Sequence, residues 1–285
     1  MRTYPFIYTI NHIQKINTTT IKERLSRKPH DLFSPHRTEF FMIYLFTEGE
    51  GKHIVDFEEI EVKPNHILFI SKGQVHAFDP KESYDGRALI FTEDFFCRTS
   101  HDCQFLQSTI LFKNIFHQAF FDVKNNFDKL YDLFIEIFNE LKNPVDHKQS
   151  DILQNLLYRI LLLSEREIEF QEGFEKKQSL QHNIVLSFIQ SVEENYKQQK
   201  KLVFYTDLLR VGIRSLQIAT AKELNKTPKD IINDRVILEA KRKLTYENIL
   251  IKEIAYDLGF EETTNFIKFF KLKTGLTPNE FKDSI

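Results

Sequence analysis

The sequence predicts an α+β protein in two parts: a small β-sandwich or β-barrel, then an all-α domain with two helix-turn-helix units. Three observations lead to this prediction. Residues 38–92 are short β-prone runs broken by turn residues, apolar periods of three and four residues take over from residue 127, and the last third of the chain repeats itself at an offset of 50 residues. Evenly spaced short strands are typical of a sandwich or barrel, and a 3.6-residue period indicates amphipathic helices.

The strand region opens with the run EFFMIYLFT at residues 39–47. Glycines and acidic residues follow it, and further β-prone runs lie at 52–56, 58–62, 66–71, 74–78 and 87–92. Turn residues such as Pro64-Asn65 and Lys72-Gly73 separate them. We therefore expect sheet throughout this stretch, which shows no period of helix length.

Two amphipathic helices should follow, over residues 127–141 and from about 150 to 163. The apolar stripe of the second helix is broad enough to face the β domain on one side and a second subunit on the other. We predict a homodimer through four members of that stripe: Leu153, Leu156, Leu157 and Ile160. The alternative is that both helices merely cap their own barrel.

The charged run EREIEFQEGFEKK at residues 165–177, with Gly173 inside it, reads as a linker. It divides the chain into a proposed effector-binding and dimerisation domain at 1–170 and a DNA-binding domain at 178–285. A helix from about 180 to 198 opens the second domain. The two parts also differ in charge, since residues 200–285 carry 16 Lys and Arg against 12 Asp and Glu although the whole chain has a net charge of −2. A basic end joined to an acidic front is expected when one domain meets phosphate.

Composition excludes several classes of protein. Cys97 and Cys103 are too few for a disulfide framework and have no further cysteines with which to build a zinc site. The N-terminus has no signal-peptide pattern, and no apolar run approaches the length of a bilayer span. We expect a soluble cytoplasmic protein that has no membrane partner.

The repeat in the last third consists of paired positions 50 residues apart. Each copy is a short helix, a tight turn, a second helix, a left-handed stop and a Thr-Pro start to the next helix. The pairs are Leu216 and Phe266, Asn225 and Gly275, Thr227 and Thr277, Pro228 and Pro278, Asp230 and Glu280, and Ile231 and Phe281. Asn and Gly are the residues that best tolerate the positive φ of such a stop. Two helix-turn-helix units indicate a transcription regulator that reads double-stranded DNA in nearby major-groove segments.

The second copy has the stronger DNA-reading pattern. Its second helix, from about residue 263 to 273, places phenylalanines 266, 269 and 270 on one face. The opposite face supplies the candidate contacts Thr263, Thr264, Asn265, Lys268 and Lys271. Asn265 suits an adenine edge, whereas the two lysines suit guanine or phosphate.

The first copy offers fewer donors. Its candidate contacts are Arg214, Ser215, Gln217 and Lys222, and Gly212 stands where a side-chain cap would be expected. A long helix over residues 229–245 should connect the two copies, with Arg242 as its candidate contact. We expect the second copy to supply more of the phosphate attraction and the first to be more base-selective or weaker.

The run KEIAYDLGFEETTNFIKFFKLKTGLTPNEF at residues 252–281 resembles the signature of AraC-type transcriptional regulators. The match comprises Ile254, Ala255, Gly259, Phe260, Phe266, Phe270, Lys271, Gly275, Thr277 and Pro278. The first copy departs from the family pattern, because Ile218 and Ala221 stand near positions where the family often has arginine, and Thr206 replaces a small alanine. The resemblance implies DNA as a partner, a small-molecule effector and, as a further candidate partner, RNA polymerase.

The segment LFISKGQVHAFDP at residues 68–80 resembles the second half of a cupin barrel, the sensory domain that many AraC-type proteins carry. With the stretches at 44–57 and 84–96, it looks most like regulators of aromatic-acid catabolism such as the 4-hydroxybenzoate regulator. The resemblance implies a cupin-like β-barrel with an effector pocket, for which our candidates are His36, Phe40, Tyr44, His76 and Phe78. Arg24 or Arg37 would meet a carboxylate if the effector is an acid.

Two other functions stay open. A metal-dependent cupin enzyme would need a His-x-His pair, but Thr38 stands where the second histidine would be, which leaves His36, Glu39 and His76. No phosphate loop, serine elbow or paired-cysteine site is present, and we predict no catalytic residue, metal or cofactor. The other alternative is a ligand-independent regulator whose β domain serves only dimerisation.

Overall fold

The computed structural model describes residues 2–6, 15–27, 32–79, 83–113, 119–171 and 180–284. The chain divides into two compact units, residues 2–175 and 176–285. Of the linker predicted at residues 165–177, residues 165–171 belong to the helix that ends at Gln171, and the remainder, with Gly173, lies outside the described residues. The predicted fold class is confirmed, since a curled sheet with trailing helices precedes an all-helical unit.

The described part of the first unit contains nine strands and five helices. The strands are β1 (Arg2–Tyr4), β2 (Ile16–Thr20), β3 (His36–Thr38), β4 (Phe41–Val55), β5 (Glu58–Val62), β6 (His66–Ile70), β7 (Val75–Phe78), β8 (Ser83–Phe91) and β9 (Phe120–Asp122). The helices are α1 (Ile21–Arg27), α2 (Glu93–Phe96), α3 (Ser100–Ser108), α4 (Phe127–Glu140) and α5 (Gln149–Gln171). β1 to β3, β9 and α1 to α3 were not predicted; β1, β3 and β9 have three residues each and α2 has four, which is too short to show a period.

The long strand β4 organises the sheet, because its two halves pair with different neighbours. The first half lies between β8 and β6, with β2 and β9 outside them. The second half lies between β5 and β7, and β7 continues to β3 and β1. The runs predicted at 39–47 and 52–56 are therefore one continuous strand.

Strict alternation along β4 builds two cores, because successive side chains leave opposite faces of a strand. Phe41, Ile43 and Leu45 pack into a core shared with α4 and α5, which we call the outer core. Met42, Tyr44 and Phe46 point to the other face and form the inner core with residues of β6, β7 and β8. Both sets are fully or almost fully buried.

The predicted dimer stripe needs correction. Leu153, Leu157 and Ile160 have no exposed surface and belong to the outer core, so they offer nothing to a second subunit. Leu156 is half-buried at the edge of that core. The apolar residues that α5 does expose are Ile152 and Leu162, at 42% and 44%. The sequence suggests two apolar faces because apolar residues lie around much of the circumference of this helix.

The described part of the second unit contains seven helices. They are α6 (Leu180–Asn195), α7 (Leu202–Leu209), α8 (Ile213–Leu224), α9 (Pro228–Tyr246), α10 (Ile251–Asp257), α11 (Thr263–Thr274) and α12 (Pro278–Asp283). Their shared core includes Phe188, Leu216, Val236, Phe266 and Phe270. Helices α7 with α8 and α10 with α11 are the two predicted helix-turn-helix units.

The internal repeat is visible in the backbone. Helices α8 and α11 start and end 50 residues apart, and each stops at a residue in the left-handed region, Asn225 at φ 51° and Gly275 at φ 81°. Thr227 and Thr277 then cap the next helices by accepting hydrogen bonds from the backbone N–H three residues on. Stop and restart are thus encoded in the same way in both copies.

Helix α9 connects the two helix-turn-helix units and contacts α6 through a network of charged groups that runs from the buried Glu239 to the exposed Glu193. The Glu239 carboxylate is 2% exposed and accepts hydrogen bonds from Arg235 at 3.3 Å and Arg242 at 3.2 Å. Arg235 also donates through Nε to both carboxylate oxygens of Glu193 at 2.8 Å. Its guanidinium carbon lies 3.9 Å from the ring centroid of Tyr196, which completes the attachment.

The turn between α10 and α11 requires a glycine for two reasons. Gly259 has φ 72°, and a Cβ atom there would lie 1.9 Å from the carbonyl oxygen of Lys197. Lys200 brings these segments together, because its ammonium group donates to the carbonyls of Lys197 and Leu258. The stop at Gly275 differs, since nothing lies within 4 Å of a Cβ placed there.

We expect Gly259→Ala to lower the free energy of unfolding far more than Gly275→Ala. Both changes force alanine into the left-handed region, at a cost of about 1 kcal/mol. Gly259→Ala adds a clash with backbone, which costs roughly a further 1–3 kcal/mol. Urea unfolding followed by circular dichroism measures both variants, and equal losses would contradict the close approach.

Candidate nucleic-acid interface

A row of buried phenylalanines positions α11. Phe266 and Phe270 are fully buried with ring centroids 5.9 Å apart, Phe260 of the turn lies 5.4 Å from Phe266, and Phe281 of α12 lies 5.6 Å from Phe270. The helix is thus held by its own buried phenylalanines, by the turn that precedes it and by the helix that follows it. These contacts fix its rotation about its own axis. The opposite face is therefore presented to solvent in a defined orientation.

The outward face of α11 carries the predicted contacts. Thr264, Asn265, Lys268 and Lys271 are exposed, whereas Thr263 is half-buried in the first turn. Neither Lys268 nor Lys271 has a carboxylate within 4.0 Å in the part of the chain that the structure describes. Lys273 differs, because it pairs with Asp230 at 3.2 Å. The two unpaired ammonium groups can serve a polyanion without first breaking an internal pair.

The outward face of α8 is less basic. Arg214, Ser215 and Gln217 are exposed, and Arg214 has no ion pair among the described residues. Lys222 is exposed too, but its ammonium group donates to Oε1 of Gln181 in α6 at 2.9 Å. Arg214 is thus the principal cation on this helix that is available to a phosphate.

Arg242 was predicted as a DNA contact, but the structure buries its side chain. Its side chain is 4% exposed and pairs with the buried Glu239, so reaching a phosphate would strip Glu239 of a partner. Sequence reasoning saw a cation on a helix near the reading units and missed the glutamate three residues before it, which lies on the same helix face.

All five predicted effector-pocket residues lie in the inner core of the first unit. His36, Tyr44 and His76 are at most 1% exposed, and Phe40 and Phe78 hardly more. The ring centroids of His36 and His76 are 4.3 Å apart, and those of Tyr44 and Phe78 are 5.6 Å apart. That this cluster binds an effector stays a prediction.

His53 belongs to the same cluster and was not among the candidates. Its ring lies 4.6 Å from Phe78 and 5.4 Å from His76, and its Nδ1 lies 3.2 Å from the hydroxyl of Tyr84. The strand register places His53 opposite Phe78 and Val55 opposite His76. His53 and Val55 are two residues apart on one strand, as are His76 and Phe78 on its neighbour. Because side chains two residues apart on a strand share a face, this spacing would have grouped His53 with the candidates.

Two histidines of this cluster, His53 and His76, are held uncharged. Burial, together with the charge of His36, lowers the pKa of His53 to about 3. Burial lowers the pKa of His76 well below its ordinary value, with His36, His53 and Arg24 adding to the effect. Burial also raises the pKa of Tyr44 to about 12. Among the described residues, Nε2 of His53 and both ring nitrogens of His76 are buried without a hydrogen-bond partner.

The described residues provide neither a metal site nor a membrane-spanning helix. The described residues contain no group of three or more His, Cys, Asp or Glu side chains placed to hold a metal ion. Each helix in the described ranges is too short or too polar to cross a bilayer.

Two family models match the chain. A model described as an AraC-like ligand binding domain matches residues 24–160, and one described as a helix-turn-helix domain matches residues 205–284. Each match lies within one of the two compact units.

Curated relatives and solved structures resemble either nearly the whole chain or its C-terminal third. The transcriptional activator RhaS of Mannheimia succiniciproducens is 19% identical over 258 residues, covering 90% of this chain and 91% of that protein. ToxT of Vibrio cholerae has a solved structure that is 15% identical, covers 96% of each chain and gives a TM-score of 0.43. The C-terminal domain of the response regulator yesN of Fusobacterium nucleatum is 28% identical, covering 33% of this chain and 93% of that one, with a TM-score of 0.31.

We expect the first unit to lose stability as the pH falls below about 6.5. Histidine in an unfolded chain has a pKa of about 6.5, whereas that of His53 in the folded protein is about 3. Between these two pH values the unfolded state binds a proton that the folded state does not, so acid favours unfolding. Each such histidine then removes about 1.4 kcal/mol per pH unit. His53→Gln should flatten the pH dependence of urea unfolding between pH 6.5 and 4.5, whereas a change at the exposed His147 should not. An unchanged slope in His53→Gln would contradict the buried neutral state.

Proposed function

Because the chain belongs to the AraC-type transcriptional regulators, with a ligand-binding domain and a helix-turn-helix domain, we propose that it reads its operator through α8 and α11. The observation that carries this proposal is the pair of outward helix faces, repeated at 50 residues and anchored by buried apolar rows. Helices of this kind enter successive major-groove segments of one DNA face. The curated relatives are named activators, and we propose the same sign of regulation here.

We assign different tasks to the side chains of α11. Lys268 and Lys271 neutralise phosphates or contact guanine, because they are exposed and have no acid to hold them among the described residues. Asn265 lies one turn before Lys268 on the same face and reads an adenine edge, since a side-chain amide matches the donor and acceptor of adenine. Arg214, Ser215 and Gln217 of α8 read the neighbouring groove segment.

The inner core of the first unit is our candidate effector site. His53 and His76 contribute buried ring nitrogens without partners in the described structure, and the surrounding aromatic rings contribute apolar surface. Buried polar atoms of this kind favour a ligand with its own donors and acceptors. The effector gates DNA binding by stabilising one arrangement of the protein over another. A cytoplasmic location follows from the proposed task, because chromosomal DNA is read there.

The exposed face of α5 is our candidate homodimer interface. Ile152, Leu156 and Leu162 form an apolar row along this face, flanked by Asp151 and Arg159. One helix face that carries both charge signs and an apolar row can pair with its own copy in antiparallel fashion. A dimer would place two pairs of reading helices on repeated half-sites.

The first test of the function is selection of genomic fragments by the purified protein across a salt series, followed by sequencing of the retained DNA. One recurring enriched site supports the regulator. Retention without any shared sequence, lost at moderate salt with and without candidate effectors, would contradict sequence-specific reading.

We expect Lys268→Ala and Lys271→Ala to weaken binding to all sequences and to reduce the slope of log K against log salt by about 0.9 each. Lys273→Ala is the matched control on the same helix, and we expect a smaller change because its charge is already paired with Asp230. Asn265→Ala should relax preference at one base pair while the salt slope holds. Unchanged salt slopes for both lysine variants would remove them from the interface.

We expect Leu156→Glu or Ile152→Glu to yield monomers in analytical ultracentrifugation, because a buried unpaired carboxylate opposes association. Phe57→Glu is the control, since Phe57 is an exposed apolar residue of the first unit away from α5. Circular dichroism verifies that each variant is folded. A wild-type protein that is monomeric at micromolar concentration, on and off DNA, would contradict the interface.

A further inference from the structure

The two reading helices present different chemistry at matched positions of the repeat. At the offset of 50 residues, Ile218 and Ala221 of α8 take the places of Lys268 and Lys271 of α11. All four positions are exposed, and Ile218 leaves 49% of its surface open to solvent. One outward face is therefore cationic at the positions where its structural copy is aliphatic.

Ile218 lies at the centre of the outward face of α8. It follows Arg214 by four residues and precedes Ala221 by three, and residues at these spacings are neighbours along one side of a helix. Leu216 and Ala219 are fully buried and point into the core from the other side. An α8 helix seated in a major groove would thus bring Ile218 to the base edges.

The chemistry of the base edges decides what an aliphatic side chain can read there. Thymine is the base that presents an apolar group in the major groove, its C5 methyl, whereas guanine, adenine and cytosine present polar atoms. Lysine attracts phosphate or guanine by charge, but isoleucine and alanine have neither a charge nor a side-chain donor. Only removal of apolar surface from water can favour their contact with DNA.

We propose that Ile218, together with Ala221, reads thymine methyl groups, so that the first helix-turn-helix unit supplies base selectivity with little phosphate attraction. This inference rests on the proposed function, because it requires α8 to lie in a major groove. Arg214 favours DNA over a protein partner as the occupant of this face. It lies one turn from Ile218, is exposed, and has no acid partner among the described residues, so a phosphate can pair with it.

The test compares thymine with deoxyuridine, which lacks only the C5 methyl. The site selected by wild-type protein is synthesised as a set of duplexes in which each thymine is replaced singly, and binding is measured at fixed salt. We expect one or two thymines in the segment read by α8 at which the replacement weakens binding about fourfold, the value of one buried methyl group.

Three variants assign that effect to the side chain. Ile218→Ser should abolish the difference between thymine and deoxyuridine at that position, and Ile218→Val should keep most of it. Lys268→Ala, the matched change in the other copy, should lower affinity overall while the difference stays. Ile218 is exposed, so the fold tolerates these changes, and thermal unfolding verifies this.

Two outcomes overturn the inference and leave the proposed function standing. One is a specific site at which no thymine responds to replacement. The other is a thymine effect that persists in Ile218→Ser; loss of transcription in that variant with DNA binding intact would then identify a protein as the partner of this face. Absence of any specific site would instead overturn the proposed function, and this inference with it.

Discussion

The DNA-binding unit depends on one buried carboxylate, that of Glu239. Two guanidinium groups of its own helix converge on it, and one of them, Arg235, extends the pairing to Glu193 of the neighbouring helix. Buried charges are tolerated only when paired in good geometry, and all three of these groups lie on α9 itself. The contacts of this cluster with α6 are the Arg235–Glu193 pair, whose carboxylate is 48% exposed, and the stacking of Arg235 on Tyr196. Since α9 joins the two helix-turn-helix units, its docking on α6 contributes to the spacing between the two reading helices.

The sequence predicted those features that local chemistry determines. Asn225 and Gly275 lie at left-handed stops, and Thr227 and Thr277 lie at helix starts, because each acts on backbone within three residues of itself. Features that depend on distant partners were missed. Arg242 reads as a surface cation because the burial of its helix face depends on the rest of the domain. The two faces of α5 are distinguished only by the strands and helices that pack on one of them. The short strands β1 to β3 exist through pairing alone and leave no periodic pattern.

The inner core of the first unit combines two properties that rarely coexist. It is closed to solvent, yet it contains ring nitrogens of His53 and His76 without partners in the described structure. Burial keeps these rings neutral, so the cost is that of unmet hydrogen bonds rather than of buried charge. A core selected for stability alone would carry leucine or phenylalanine at these positions. Local stability is therefore given up in the domain that the family uses for ligand binding.

The two turns of the repeat differ in mutational tolerance. Arg210 and Gly259 lie in equivalent turns with φ of 55° and 72°. Arg210 is exposed, whereas a Cβ atom at Gly259 would lie 1.9 Å from a backbone carbonyl oxygen. The two turns therefore tolerate different substitutions. The first accepts a residue that can adopt a positive φ, whereas the second requires glycine. The two helix-turn-helix copies fold alike, but substitution is restricted more strongly in the turn of the second. The first copy can therefore change its base preference while the second keeps the protein on DNA.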